Sequence, residues 1–281
     1  MPIIFDPVFC VLNGREFSIE QYANNTLNVS DDAIRVKSHA NNLEDRVQSL
    51  LENLSHHIHS FDIQAPVCVL LPRVSCKSVL KRISSVILSL FNLEANPLIR
   101  FYPYGEASLL MALSQLEELS HQNTVPWIIA INLAQGSSSK FDVYDSLVVA
   151  RCVAVKEGLN VRTQSIDLEL SPLNTATDNI VRQLGKASEQ SFDELLLSIG
   201  IEEEPQWLNS IHFLSSWISA ETRYIFSDSR TGPLGACDGL LKALSLCHRQ
   251  RVKHVENFQV LQVDIETQGY AIGTIFNWCS E

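Results

Sequence analysis

Short apolar runs of strand length alternate along this chain with longer stretches of helical periodicity. The order strand, helix, strand, helix, strand, strand comes round roughly twice. This order constrains the fold more than any single motif does. Parallel strands need crossover connections, and the crossing helices must cover the sheet faces. The expectation is an α/β body of two pseudo-repeated halves, residues 1–155 and 156–281, forming one compact unit. Its helices should be layered on mixed, parallel-rich sheets, with about five strands in each half. No residue-level repeat accompanies the doubled order, so the halves should share topology and not sequence.

In the first half, Asn13-Gly14 sits between apolar runs and predicts a hairpin over 7–17. Leu43, Val47, Leu50, Leu51, Leu54 and Ile58 recur at helical spacing and predict a helix over 41–59. Strands are expected at 67–71, 97–102, 127–133 and 143–155, with a polar loop at 135–140. Helices are expected from Ser75, with Ile83 and Ile87 on the apolar face, and over 105–119. In the second half, strands are predicted at 165–170, 211–214, 223–227, 258–265 and 270–278. Helices are predicted at 175–184, 192–199 and 234–248. The segment 185–205 reads as the most irregular, and its Glu202-Glu203-Glu204 run as a solvated loop.

A hydrophobic content of 46% with 19% charged residues fits an ordinary globular chain. The net charge of −11 argues against nucleic acid and anionic membrane surfaces as partners. It leaves room for a basic protein partner, met by Glu202–Glu204, Asp31-Asp32 or Glu117-Glu118. No apolar run approaches the roughly 20 residues that span a bilayer, so no membrane insertion is expected. The start, Met1-Pro2-Ile3-Ile4, lacks the basic-then-apolar form of a secretory signal. Seven scattered cysteines without a C-x-x-C pair then read as free thiols of a cytoplasmic protein. His56-His57-Ile58-His59 offers one helical pair without a third ligand, so no metal site is expected. No P-loop and no G-x-G-x-x-G occurs, and no cofactor is expected. The absence of a G-x-S-x-G elbow argues against a serine hydrolase.

The sharpest local feature is Thr231-Gly232-Pro233-Leu234-Gly235-Ala236-Cys237-Asp238-Gly239, running into Leu240-Leu241-Lys242-Ala243-Leu244. It resembles the G-H-P-x-G-A-x-G segment of thiolases and the G-H-x-x-G-A-A-G segment of ketoacyl synthases. Thr267-Gln268-Gly269-Tyr270-Ala271-Ile272-Gly273-Thr274 resembles the Gly-rich loop before the last strand of that superfamily. Glu106-Ala107-Ser108-Leu109-Leu110-Met111-Ala112-Leu113 resembles the start of its nucleophile helix, C-x-S-x-x-x-A-L/I. The resemblance covers most of the chain in outline and about 30 residues in motif. It implies a thiolase-like fold in which the helices beginning near Gly105 and Leu234 meet at the centre.

The departures from the pattern carry the functional reading. The resemblance implies a cysteine where Glu106 stands, its thiolate stabilised by helix-start amides. It implies a histidine where Gly232 stands, to hold an oxyanion or carbanion. An H-G-T-G motif should follow a strand near 211–214, where the chain has Ser215-Ser216-Trp217. The lysine of ketoacyl synthases falls on Ser227 or a neighbour. No residue is therefore assigned a catalytic role. Glu106, Gly232 and Gly269 mark a vestigial pocket.

Each of these signals also has a plain structural reading. Glu106 is either an acid or base of that pocket or an acidic residue favoured by the helix dipole. Cys76, near Arg73 and Lys77, and Cys237, among small residues, read first as an exposed thiol and a packing group. The resulting expectation is a non-catalytic thiolase-like scaffold or adaptor in a larger bacterial assembly, of secretion or polyketide/fatty-acid type. The alternatives are a decarboxylase or hydrolase using Glu106, and a module that binds an acyl group or acyl-carrier protein. A homodimer, or a heterodimer with a related chain, is expected through an edge strand of the first half, for which 127–133 is the candidate. An enzyme should converge polar side chains beside Glu106, whereas a scaffold should fill that space with apolar ones.

Overall fold

The computed structural model of the protein describes residues 1–24, 26–27, 43–52, 65–74, 76–91, 93–133, 145–168, 173–198, 206–229, 231–266 and 270–280. Asn13 and Gly14 both take positive φ and turn β1 (Ile3–Leu12) into β2 (Arg15–Phe17), the hairpin their identity calls for. Ser18 caps the short α1 (Ile19–Ala23) in a capping box with Gln21. α2 (Leu43–Glu52), β3 (Val67–Leu70), α3 (Lys77–Leu90), β4 (Ile99–Tyr102), α4 (Ser108–His121), β5 (Trp127–Asn132) and β6 (Ser146–Ala154) complete the first half. The second half holds β7 (Glu157–Leu168), α5 (Leu173–Ala187), β8 (Glu194–Leu197), α6 (Gln206–Ser210), β9 (Arg223–Phe226), α7 (Asp238–Lys253), β10 (Gln259–Glu266) and β11 (Tyr270–Ser280).

Among the described residues the strands form one continuous sheet ordered β4-β3-β5-β6-β1-β7-β11-β10-β8-β9, with β2 on β1. Read inward from either edge, the pattern repeats: β4-β3-β5-β6-β1 against β9-β8-β10-β11-β7. In each half the outer three strands are parallel and the next two join antiparallel. A single residue pair, Ile3 with Leu159, links β1 to β7 and joins the halves. The α/β fold with two pseudo-repeated halves is therefore present.

Period-2 alternation decides the layers. In β3, Val67 and Val69 face one core with Ile83 and Ile87 of α3, while Cys68 and Leu70 face the central core. In β8, Leu196 points to the central core, and Leu195 and Leu197 pack with Ile180 and Leu184 of α5. The central core is built around α4 and α7, which lie between the inner faces of the two half-sheets. At their crossing a Cβ on Gly239 would stand 3.1 Å from the Glu106 carbonyl oxygen and 3.3 Å from Leu109 Cβ. Any larger residue would push the two helix starts apart.

Three expectations are corrected. Residues 192–199 contain β8 and not a helix, so a strand runs inside the segment read as most irregular. Residues 211–214 form a 3-10 turn after α6 and not a strand. The strand at 127–133, read as an edge, lies between β3 and β6 with both faces buried. A strand walled by helices on both sides reads as a continuous apolar run, which sequence pattern alone does not separate from a short or exposed one. The first-half edge is β4, whose residues remain partly exposed. The acidic pairs and the histidine cluster fall partly outside the described residues: Asp31-Asp32, Glu202–Glu204 and His56–His59 are all among those left out.

Candidate functional site

The start of α4 and the start of α7 meet where the two halves join, and a cluster of charged side chains lies between them. Glu106 stands in the 3-10 turn Gly105–Ala107 that leads into α4. Asp238 and Lys242 are one turn apart on α7, and Asp264 lies on β10. Asp238, Lys242 and Asp264 are all buried. Lys242 Nζ donates to Asp264 Oδ1 at 2.7 Å and to Ser198 Oγ at 2.7 Å, and pairs with Asp238 Oδ2 at 3.0 Å. Asp238 Oδ2 also accepts from Ser198 Oγ and Ser227 Oγ, each at 2.9 Å. Gln262 Nε2 donates to Asp264 Oδ2 at 2.8 Å and to the Gly239 carbonyl at 3.2 Å.

Lys242 is thus shared by two carboxylates, with Glu106 a third acidic group in its field. Burial opposes the charge on Lys242, but Asp238, Asp264 and Glu106 outweigh it and raise its pKa. The acids shift in the same direction, which for them favours the neutral form. Burial raises Asp264, with Lys242 holding it back. Glu106 keeps partial exposure. Desolvation of its carboxyl, then repulsion from Asp238, still pushes its pKa well above the usual range, against the pull of Lys242. Among the described residues no hydrogen bond reaches the Glu106 carboxyl. Burial also raises Glu266, offset by the Glu106 amide and by Arg73.

The sequence-derived positions fall as follows. Glu106 lies at the helix start implied for a nucleophile. Gly232 has φ +66° and donates its N–H to the Asp228 carbonyl at 3.0 Å, so it serves a turn. Gly269 lies outside the described residues. Cys237 is fully buried, its thiol directed at the Ala130 carbonyl at 3.2 Å and its pKa pushed up to about 12 by desolvation. Ser227, one of the positions on which the resemblance sets the family lysine, hydrogen-bonds Asp238. Because 211–214 is no strand, the segment that follows a parallel strand here begins at Ser198, after β8. Ser198, Asp238, Lys242 and Asp264 were missed by motif reading. The signal for them was present: Leu240–Leu246 is apolar nearly all round, which marks a buried helix, and a charge inside a buried helix requires a partner.

A second buried ion network braces β8 against α7. Glu194 is fully buried, and Arg249 donates to its Oε2 at 2.7 Å while Arg223 pairs with the other oxygen. Between the two networks lies a cavity of about 60 Å³, lined in part by Tyr22, Ser227, Lys242 and Arg249. Among the described residues no group of three His, Cys, Asp or Glu side chains is disposed to hold a metal ion, and no helix is long and apolar enough to cross a membrane.

No protein-family model matches the sequence, and no curated protein matches it. The structure is similar to solved ketosynthases. One is the ishigamide ketosynthase/chain length factor, with 9% identity over all of both chains and a TM-score of 0.68. A second is the ketosynthase from module 6 of the bacillaene synthase of Bacillus subtilis 168. It has 8% identity over all of this chain and 73% of that one, with a TM-score of 0.67. A third is a type II polyketide synthase acyl-carrier protein in complex with its ketosynthase bound to the hexaketide. It has 10% identity over 99% of this chain and all of that one, with a TM-score of 0.59. The likeness is one of fold, and the fold is thiolase-like.

Proposed function

We propose that this chain is a non-condensing protein of the thiolase-like fold that works as a scaffold or adaptor. It would pair through its body with other chains of a bacterial assembly, of polyketide or fatty-acid type or in secretion machinery. One observation carries the reading. Glu106, at the position where the motif resemblance implies a condensing enzyme's cysteine, stands half-buried beside the ion network of Asp238, Lys242 and Asp264. A carboxyl group there forms no acyl-thioester intermediate, and the polar side chains around it are engaged with one another.

The halves, residues 1–155 and 156–281, act as one body in this reading, with Glu106, Gly232 and Gly269 marking the vestigial pocket. β4, the outer strand of the first half among the described residues, is the surface offered to a partner, either a second copy or a related chain. The neighbours described as a ketosynthase/chain length factor and as a ketosynthase with its acyl-carrier protein suggest the kind of partner. The setting is cytoplasmic, with no cofactor. Sedimentation at tens of micromolar, alone and with a ketosynthase-fold chain from the same host, tests the pairing. A dimer or a one-to-one complex is expected, and a monomer under both conditions would overturn it.

A second reading has an observation in its favour. Polar side chains do converge beside Glu106, as an enzyme would require, and the raised pKa keeps its carboxyl available as an acid. Decarboxylation or hydrolysis of an acyl thioester is the chemistry this would serve. Incubation with malonyl thioester separates the readings: a scaffold yields no acetyl thioester above the protein-free rate, whereas an enzyme turns over and loses activity in Glu106→Gln.

A further inference from the structure

The two central helices begin in the same way, and the difference between their starts is informative. Gly105 and Gly235 each precede a helix and each take a left-handed φ, +59° and +49°. In each case a side chain from the opposite half fills the place where a Cβ would stand. The Asn132 amide oxygen lies 2.2 Å from the Cβ position of Gly235, and Glu266 Oε2 lies 1.7 Å from that of Gly105. Asn132 ends β5 and Glu266 ends β10, and these strands occupy equivalent places in the repeated sheet order. Glu266 Oε2 accepts the Glu106 N–H at 3.2 Å.

Filling the cradle requires only a small oxygen acceptor, and at the mirror place a neutral amide supplies it. The negative charge at 266 therefore has a consequence of its own. An amide at the start of a helix favours anions, and here that preference is already met by the chain's own carboxylate. The groups facing position 106 are Asp238 and Lys242 from α7 and Asp264 and Glu266 from β10, with Arg73 acting on Glu266. Lys242 is committed to Asp238 and Asp264.

We propose that Glu266 is a built-in anion that occupies the Glu106 amide of this helix start and sets position 106 against any further negative charge, whether a nucleophilic thiolate or a developing oxyanion. The inference rests on the non-condensing reading and deepens it. Restoring a thiol at position 106 would not by itself restore a reactive one, because the repulsion from Asp238 and from Glu266 would remain.

A thiol placed at 106 reports that field directly. Glu106→Cys and Glu106→Cys/Glu266→Gln would be made in a Cys76→Ser background, and alkylation at 106 by iodoacetamide followed against pH by peptide mass. Removing one nearby charge should make alkylation at pH 7 roughly three- to tenfold faster and move the profile to lower pH. Superimposable profiles would overturn the proposal. Should Glu106→Cys fail to fold, ¹³C-carboxyl titration of Glu106 in the unsubstituted protein and in Glu266→Gln asks the same question. A lower midpoint in Glu266→Gln is expected, and an unchanged one refutes the inference. A covalent acyl adduct on the unsubstituted protein would instead sink the non-condensing reading and leave these profiles as they are.

Discussion

Replacing Lys242 with Met keeps most of the length of the side chain and removes the cation that, among the described residues, pairs with Asp238 and Asp264 in the central cluster. Both carboxylates then remain buried without their counter-charge. Breaking a buried ion pair from one side costs about 3–5 kcal/mol. For a chain of this size that corresponds to a fall in Tm of roughly 6–15 °C. The loss should depend on pH. Asp264, Glu106 and Glu266 already have raised pKa values in the folded state, so folding takes up protons and their contribution to stability falls as pH rises above about 4–5. Without Lys242 the pKa values of Asp264 and Glu106 rise further, and each tenfold change in a protonation equilibrium is worth about 1.4 kcal/mol. The raised pKa of Lys242 contributes stability that is fully present below its unfolded value of 10.5, hence constant from pH 5 to 9 in the unsubstituted protein. Thermal unfolding of both proteins at pH 5.5 and pH 8 reads the effect. The deficit of Lys242→Met should be large at pH 8 and smaller by at least half at pH 5.5. A deficit under about 1 kcal/mol at pH 8, or one equal at both pH values, would refute the account of the cluster.

The cysteines should separate by environment. Cys76 is exposed, with a pKa lowered by hydrogen bonds from Ser78 and from the amides of Val79 and Ser78, while burial pushes Cys10, Cys68, Cys152 and Cys237 up to about 12 and Cys247 to about 11. One equivalent of iodoacetamide at pH 7 should therefore label Cys76 ahead of those five, as read by peptide mass. Gly235→Ala forces a Cβ into the Asn132 amide from a left-handed backbone and should cost about 1–3 kcal/mol in urea unfolding. Leu240→Ala opens a void in the central core and should cost about 2–5 kcal/mol in the same assay.

Much of the fold was legible because its signals are local. Asn13-Gly14 dictates a turn whatever surrounds it, and the helix from 234 carries both its glycine entry and its apolar run in one stretch. The failures occur where tertiary context decides. The run Leu195-Leu196-Leu197 is apolar on both strand faces because α5 lies on one side and α7 on the other, so the alternation that identifies a half-buried strand is missing. The 127–133 strand is short and bounded by loops, which looks like an edge, yet it lies between β6, the next strand in sequence, and β3, about 60 residues earlier. At the site, Glu106 was found through the motif around Ser108 and Ala112. Asp238 and Lys242 lie within the Gly-rich motif, but an i, i+4 acid–base pair carries no signal of its own that separates a buried pair from a surface one. Glu117, read as part of an acidic face, is half-buried with a pKa raised by desolvation, so it presents less charge outward than its neighbour Glu118.

The non-condensing claim is tested most directly by intact-mass spectrometry of the purified chain after incubation with acetyl and malonyl thioesters. The expected result is an unchanged mass, with the buried thiols and Glu106 unmodified. A stoichiometric acyl adduct on the protein, mapped to a cysteine or to Glu106, would contradict the account.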